Sequence, residues 1–339
     1  MAGRDPSLTA AQLRSFRHAL LRWYDQHRRD LPWRRDNDPY RVWVSEIMLQ
    51  QTRVAAALDH YARFMRRFPT VQSLAVAREA SVLAAWSGLG YYHRARRMHQ
   101  AAKIIARERQ GRFPRTAEQW SELPGIGRYT SAAIASIAFG EPIAVVDGNV
   151  ERVLQRLTGR GLPREAAWQQ AQTLLDRKRP GDFNQAMMEL GATICTPRRP
   201  QCLLCPVMSF CSTRGAETTA PTAARKQREL HYALARRNDL VLLVQRPPDA
   251  SLMAGMWELP ALSAEQTNGD APLLRLRHSI TDTDYRVAVY SFTPQQAARA
   301  GESRWFTQRQ CARLPLTGLT RKILAVLPLA STRTLAVSK

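Results

Sequence analysis

Apolar positions recur at helical spacing from the N-terminal region to about residue 190. In residues 8–31, Leu13, Phe16, Leu20, Leu21 and Tyr24 fall three to four residues apart and define one face of an α-helix. Asp38 followed by Pro39 predicts another helix start, with the aspartate as N-cap and the proline in the first turn, where a missing N–H costs nothing. The stretch VWVSEIMLQQTRVAAAL (42–58) then reads as one helix holding Glu46 among apolar residues. The first part of the chain is therefore predicted to be all-α.

The period changes after residue 211. STRGAETTAPTAARKQRE is small, polar and aperiodic, and predicts a linker over 212–228 between a domain at 1–211 and a second at 229–339. His231–Arg236 and Leu240–Arg246 read as a β-hairpin turning at Arg237-Asn238-Asp239, while TPQQAARA (293–300) and TGLTRKILAVL (317–327) read as short helices. The second domain is thus mixed α and β. No apolar run approaches the 18 or so residues of a membrane helix, and the N-terminal stretch lacks the apolar core of a signal peptide. A cytoplasmic, nucleoid-associated protein is expected.

Charge narrows the partner class. Lys and Arg total 50 against 28 Asp and Glu, a formal charge of +22 on 339 residues, and only five of the basic residues are Lys. The arginine skew alone reads as base-composition bias, but the excess itself calls for a polyanion, and nucleic acid is the commonest soluble one. Up to Arg225 there are 34 basic and 19 acidic residues, and beyond it 16 and 9, so both domains are expected to face that polyanion.

Three constellations carry chemistry. Cys195, Cys202, Cys205 and Cys211 stand in a C-x6-C-x2-C-x5-C run, a metal-binding pattern in a reducing compartment; by spacing alone zinc and an iron–sulfur cluster are equally good readings. Cys311 stands apart and reads as a small buried hydrophobe. Leu-Pro-Gly-Ile-Gly (123–127) before a small-residue helix predicts a turn in which Gly125 and Gly127 present backbone N–H groups to a phosphate; an ordinary helix–turn–helix corner is the alternative. Glu46 and Asp147 are the third. Singly, Glu46 could pair with Arg53 and Asp147 could simply cap the helix that begins at Gly148. Together, a semi-buried acid and an ionised carboxylate are what cleavage of an N-glycosidic bond requires.

With these residues the chain resembles the MutY adenine DNA glycosylases of the endonuclease III superfamily. The resemblance rests on LPWR (31–34), DPYRVWVSEIMLQQT (38–52), GLGYYHRA (88–95), LPGIGRYTSAAI (123–134), VDGNVERVL (146–154), FNQAMMELGA (183–192) and the four-cysteine run. It implies an all-α helix-hairpin-helix domain with a [4Fe–4S] cluster on the four cysteines, followed by a MutT-like (Nudix-like) α/β domain. It implies Glu46 as the acid that excises the base and Asp147 as the stabilising anion. Gln51 and Tyr91 match residues inserted into the DNA stack, Trp33, Arg34 and Leu89 the wall of the adenine pocket, and Gln185 a reader of the flipped base.

Bifunctional relatives carry a Schiff-base lysine where this chain has Tyr129, so a monofunctional enzyme is implied. In the second domain Arg246-Pro247-Pro248 and Gly255–Pro260 carry the resemblance, but SAEQTNGD supplies too few carboxylates for a Nudix Mg²⁺ site. His278 and Thr281 match the family's lesion-reading loop, although Asp282 stands where His is usual. The implied partner is duplex DNA with adenine opposite 8-oxoguanine or guanine, bound by a monomer.

Overall fold

The computed structural model describes residues 8–214, 225–250, 252–267, 269–280, 283–293 and 303–327. They fall into two units, one of Met1–Ala75 with Gln100–Pro221, the other of Val76–His99 with Thr222–Lys339.

The first unit is helical. α1 (Ala10–His27) opens with a capping box, Thr9 accepting from Gln12 N while the Gln12 side chain accepts from Thr9 N. α2 (Pro39–Leu49) starts on the expected Asp38 cap, whose carboxylate accepts from Arg41 N. The single helix expected over 42–58 is instead two. α2 ends at Leu49, Gln51 turns left-handed with φ 56°, and α3 (Val54–Arg67) begins afresh. Periodicity could not reveal the break because the apolar face resumes after it. α4 is Val71–Ala75, and α5 (Glu79–Trp86) and the start of α6 (Tyr92–Arg107) belong to the second unit.

α7 (Ala117–Ser121) and α8 (Arg128–Phe139) form the predicted hairpin, α9 (Gly148–Thr158) follows Asp147, and α10 (Arg164–Leu174) leads to α11 (Pro180–Thr193). α8 is the pillar of the unit. Every residue from Thr130 to Ile137 is buried, and α2, α7 and α11 all pack on it. Small side chains permit this: a Cβ on Gly181 of α11 would lie 2.6 Å from the Ser136 carbonyl oxygen. Asn184 joins the same contact, donating to Ser136 Oγ and the Ile143 carbonyl and accepting from Val145 N, which fixes the segment leading into Asp147. α1, α9, α10 and α11 close a second layer around Phe16, Leu20, Tyr24, Leu154, Phe183 and Leu190.

The second unit holds a mixed sheet of β1 (Lys226–Arg237), β2 (Leu240–Gln245), β3 (Trp257–Glu258), β4 (Ala261–Leu262), β5 (Leu274–Ile280), β6 (Thr283–Phe292) and β7 (Ser303–Thr307). The order is β3-β2-β1-β6-β5, with β4 on β1 and β7 on β2. The expected hairpin is present as β1–β2, but β1 starts five residues earlier than its alternation suggested because Lys226–Ala235 pair in parallel with β6. α12 is Gln308–Cys311, and α13 (Gly318–Val326) is the helix expected at 317–327. Cys311 is buried. The helix expected at 293–300 lies outside the described residues, apart from Thr293. No described helix is long and apolar enough to cross a membrane.

The α8–α11 contact makes a direct prediction. Gly181→Ala should destabilise the chain by about 1–3 kcal/mol through overpacking, read as a lower urea midpoint with an unchanged slope. A loss under about 0.5 kcal/mol would mean that the two helices separate freely.

Candidate active site

A cavity of about 160 Å³ opens in the first unit, lined by Leu31, Trp33, Arg34, Ser45, Glu46, Tyr129, Asp147, Asn149, Gln185, Met188 and Glu189 among others. A space of this size suits a small ligand and falls below the range of drug-sized pockets. Trp33, Arg34, Glu46, Tyr129, Asp147 and Gln185, six residues from five separate stretches of sequence, therefore line one cavity.

Glu46 is 6% exposed, and its Oε2 accepts from Tyr129 Oη at 2.8 Å. Burial pushes its carboxyl up to about 7, the negative charge of Asp147 adds to the rise, and the Tyr129 hydrogen bond and Arg34 pull the other way. The proton is then shared nearly evenly at neutral pH, as a general acid needs. Burial beside both carboxylates raises the Tyr129 phenol well above its ordinary range, so it stays a donor.

Asp147 caps α9 and lines the cavity at once. Its Oδ1 accepts from Asn149 N at 2.9 Å and Val150 N at 2.7 Å, and its Oδ2 from Asn149 Nδ2 at 2.9 Å. The capping reading is correct, and it holds the carboxylate at the positive end of a helix dipole. Arg152 braces the turn, donating to Gly148 O, Asn149 Oδ1, Gly191 O and Cys195 O. A Cβ on Gly191 would sit 2.7 Å from Asn149 Cβ, so glycine is required where α11 passes this turn.

Glu189 was not singled out from sequence. It is 1% exposed and is gripped by Arg29 Nε at 2.6 Å, Arg29 Nη2 at 2.8 Å and Arg34 Nη2 at 2.9 Å. Those guanidiniums hold its carboxyl below the usual range despite burial. Its spacing of four residues from Gln185, on one face of an apolar helix, is the signal that could have found it. Arg34 Nη1 is buried without a partner among the described residues, leaving a donor for a bound acceptor.

Other expected residues lie outside this cavity. Gln51 is exposed on its left-handed turn, which Gln50 ties to α8 through Thr130 Oγ1 at 3.0 Å. In the hairpin, Gly125 takes φ 81°, which only glycine adopts without strain, and Gly127 caps α8. Leu89 and Tyr91 belong to the second unit, as does half-buried His278, whose imidazole is pushed below its ordinary value by burial and by Lys322. Thr281 and Asp282 lie outside the described residues.

Cys195, Cys202, Cys205 and Cys211 line a separate small cavity with Arg156. Arg156, 2% exposed, donates to Cys195 Sγ, Thr196 O and Pro197 O, and its own carbonyl faces Cys211 Sγ at 3.3 Å. Among the described residues no three His, Cys, Asp or Glu side chains close on a point as a single ion requires. The four thiols share one cavity, a donor set that fits a metal centre.

The family model for the HhH-GPD superfamily base excision DNA repair protein matches residues 44–173, and that for the iron-sulfur binding domain of endonuclease III matches residues 195–211. The chain is 37% identical to the adenine DNA glycosylase of Homo sapiens over 93% of its own length and 74% of that protein's. It is 38% identical to that of Mus musculus over 92% and 78%. Among solved structures, a thermostable thymine-DNA glycosylase superposes with a TM-score of 0.57 at 30% identity, covering 61% of this chain and 99% of that one. A non-covalent endonuclease III–DNA complex, at 23% identity and a TM-score of 0.53, covers 61% and 97% and shares the fold.

Burial of Glu46 has a measurable consequence. A carboxyl raised from 4.5 to about 7 costs nothing below pH 4.5, and the cost grows as pH rises toward 7. Glu46→Gln should therefore be more stable than the wild type at pH 8, by on the order of 1–3 kcal/mol, with the gap closing near pH 5. Urea unfolding at both pH values checks this; a less stable variant at pH 8 would refute the raised carboxyl.

Proposed function

We propose, for a chain that belongs to the adenine DNA glycosylases of the HhH-GPD base excision repair superfamily, that its substrate is adenine opposite 8-oxoguanine, and less efficiently opposite guanine, in duplex DNA. The observation that carries the mechanism is the pair of carboxyl groups on one small cavity, Glu46 near its midpoint at neutral pH and Asp147 pinned by two backbone amides.

The glycosidic bond is out of reach inside a duplex, so adenine leaves the stack and enters the cavity. Trp33 offers a flat wall, and the ionised Glu189 and the free Arg34 Nη1 supply an acceptor and a donor for the base edge. Glu46 gives its proton to N7 of adenine, and the glycosidic electron pair leaves with the base. Asp147 stabilises the positive charge that develops on the sugar. Water adds at C1′ and loses a proton, leaving an abasic site. Tyr129 holds Glu46 in place and, not being a lysine, offers no amine for a Schiff base.

Gln51 and Tyr91 fill the gap left by the base, Leu89 packs beside it, and the Gly125–Gly127 turn grips a backbone phosphate. His278 and Thr281 read the opposite base. Such an enzyme works as a monomer on nucleoid DNA. Cys195, Cys202, Cys205 and Cys211 would hold the [4Fe–4S] cluster of this family, which would give the loop a rigid structural centre.

Duplexes carrying A opposite 8-oxoguanine, G or T, treated with and without alkali, test the proposal. Strand breaks should appear only after alkali, fastest for 8-oxoguanine and absent for T. Glu46→Gln should lose about 10²–10⁴-fold in single-turnover rate, the contribution of a general acid. The wild-type rate should fall as pH rises through about 7, because the acid form is consumed. Full activity of Glu46→Gln, or a borohydride-trapped adduct, would refute the mechanism. Fresh protein should contain about four iron and four sulfide per chain, the content of a cubane; stoichiometric zinc would overturn that assignment.

A further inference from the structure

The loop that carries Tyr91 is held in an uncommon shape. Gly88 and Gly90 take φ of 107° and 71°, and Tyr91 itself takes 47°, which a non-glycine residue adopts only when its surroundings enforce it. The enforcement is visible. Trp86 Nε1 donates to the Gly90 carbonyl at 3.1 Å, and the buried Arg94 guanidinium lies over both the Trp86 ring at 5.6 Å and the Tyr91 ring at 5.2 Å.

The base of this loop is fastened to the mixed-sheet part of the same unit. Ser87 Oγ donates to the Leu316 carbonyl at 2.8 Å, and Tyr92 Oη donates to the same oxygen at 3.2 Å; Ser87, Tyr92 and Leu316 are all buried. Each hydroxyl also accepts a bond, Ser87 from Arg321 Nε at 3.0 Å and Tyr92 from Gly88 N at 3.4 Å. Leu316 sits just before Thr317, the cap of α13, and Thr320 Oγ1 of that helix accepts from Leu259 N beside the sheet. The next residue after Arg321, Lys322, donates to the carbonyl of Arg277 on β5 at 3.0 Å, one residue before His278. One short helix thus bonds at Arg321 to the Tyr91 loop and at Lys322 to the strand bearing Arg277-His278.

We propose that α13 is a bracket that fixes the Tyr91 loop against strand β5, and that Ser87, Tyr92 and Arg321 are positioning residues for discrimination between 8-oxoguanine and guanine. The inference rests on the reading of Tyr91 as the inserted residue and of the β5 end as the lesion reader. Insertion and lesion reading then occur at a fixed separation, so a correct opposite base and a seated tyrosine reinforce each other.

The test is single-turnover excision from A:8-oxoguanine and A:G duplexes by the full-length holoprotein, with cluster absorbance and thermal midpoint recorded for each variant. Ser87→Ala/Tyr92→Phe should slow the 8-oxoguanine duplex about tenfold while the A:G rate stays within about twofold, which collapses the ratio. Tyr92→Phe alone, which keeps the Ser87 bond, should retain most of it. Arg321→Met is only half-buried and decides the matter if the double variant does not fold. An unchanged ratio in a folded double variant or in Arg321→Met, or equal losses on both duplexes, overturns the bracket. A wild type with no preference between the duplexes overturns instead the reading on which it rests.

Discussion

The first unit is organised around keeping one carboxyl group out of water. Burying Glu46 beside Asp147 is electrostatically unfavourable, and the fold tolerates it because the acid can remain protonated near pH 7 and because Tyr129 donates to it. That arrangement needs α2 and α8 in close contact, which the small residues of α8 allow. It also needs α11 to pass close to both α8 and the Asp147 turn, which Gly181 and Gly191 allow. Stability lost at Glu46 is thus tied to the same helix packing that creates the cavity.

Glu189 shows how far the environment, rather than the side chain, sets the chemistry. Glu46 and Glu189 are both glutamates, both almost wholly buried, and both line one cavity. Two guanidiniums hold Glu189 below its ordinary range, whereas Glu46 has a phenol and a carboxylate for neighbours and rises. One is a permanent acceptor, the other a proton donor at neutral pH. Two carboxyls with separated affinities suit the proposed mechanism, in which one pocket both recognises a base and protonates it.

Much of this was legible in the sequence, and the limits have physical causes. Asp38-Pro39, the Gly125–Gly127 turn and the cap at Asp147 are local signals, set by a few adjacent residues, and each was placed correctly. The break at Gln51 was hidden because a single left-handed residue leaves the apolar period intact on either side. The early start of β1 was hidden because it comes from parallel pairing with β6, more than fifty residues away. Glu189 was passed over because what distinguishes it, two arginines from the α1–α2 connection, lies about 155 residues upstream. The resemblance to a family supplied roles for Tyr91 and Gln51, but the strain at both positions could be read only from the backbone.

That strain bears on how the chain would engage a duplex. Gln51 and Tyr91 are both non-glycine residues at positive φ, and each is braced at its flank, Gln51 by the Gln50–Thr130 bond and Tyr91 by the Arg94 guanidinium. If the two residues insert into the stack as proposed, a flexible loop would absorb the force of insertion instead of transmitting it, whereas a braced one would not. Holding the backbone in a sparsely populated region before DNA arrives places the conformational cost in folding rather than in binding. A glycine at either position would relieve the strain but would also remove the side chain to which insertion is assigned in the proposed function. The left-handed glutamine and tyrosine are therefore best understood as paired with their braces, which keep the strained shape available at every encounter.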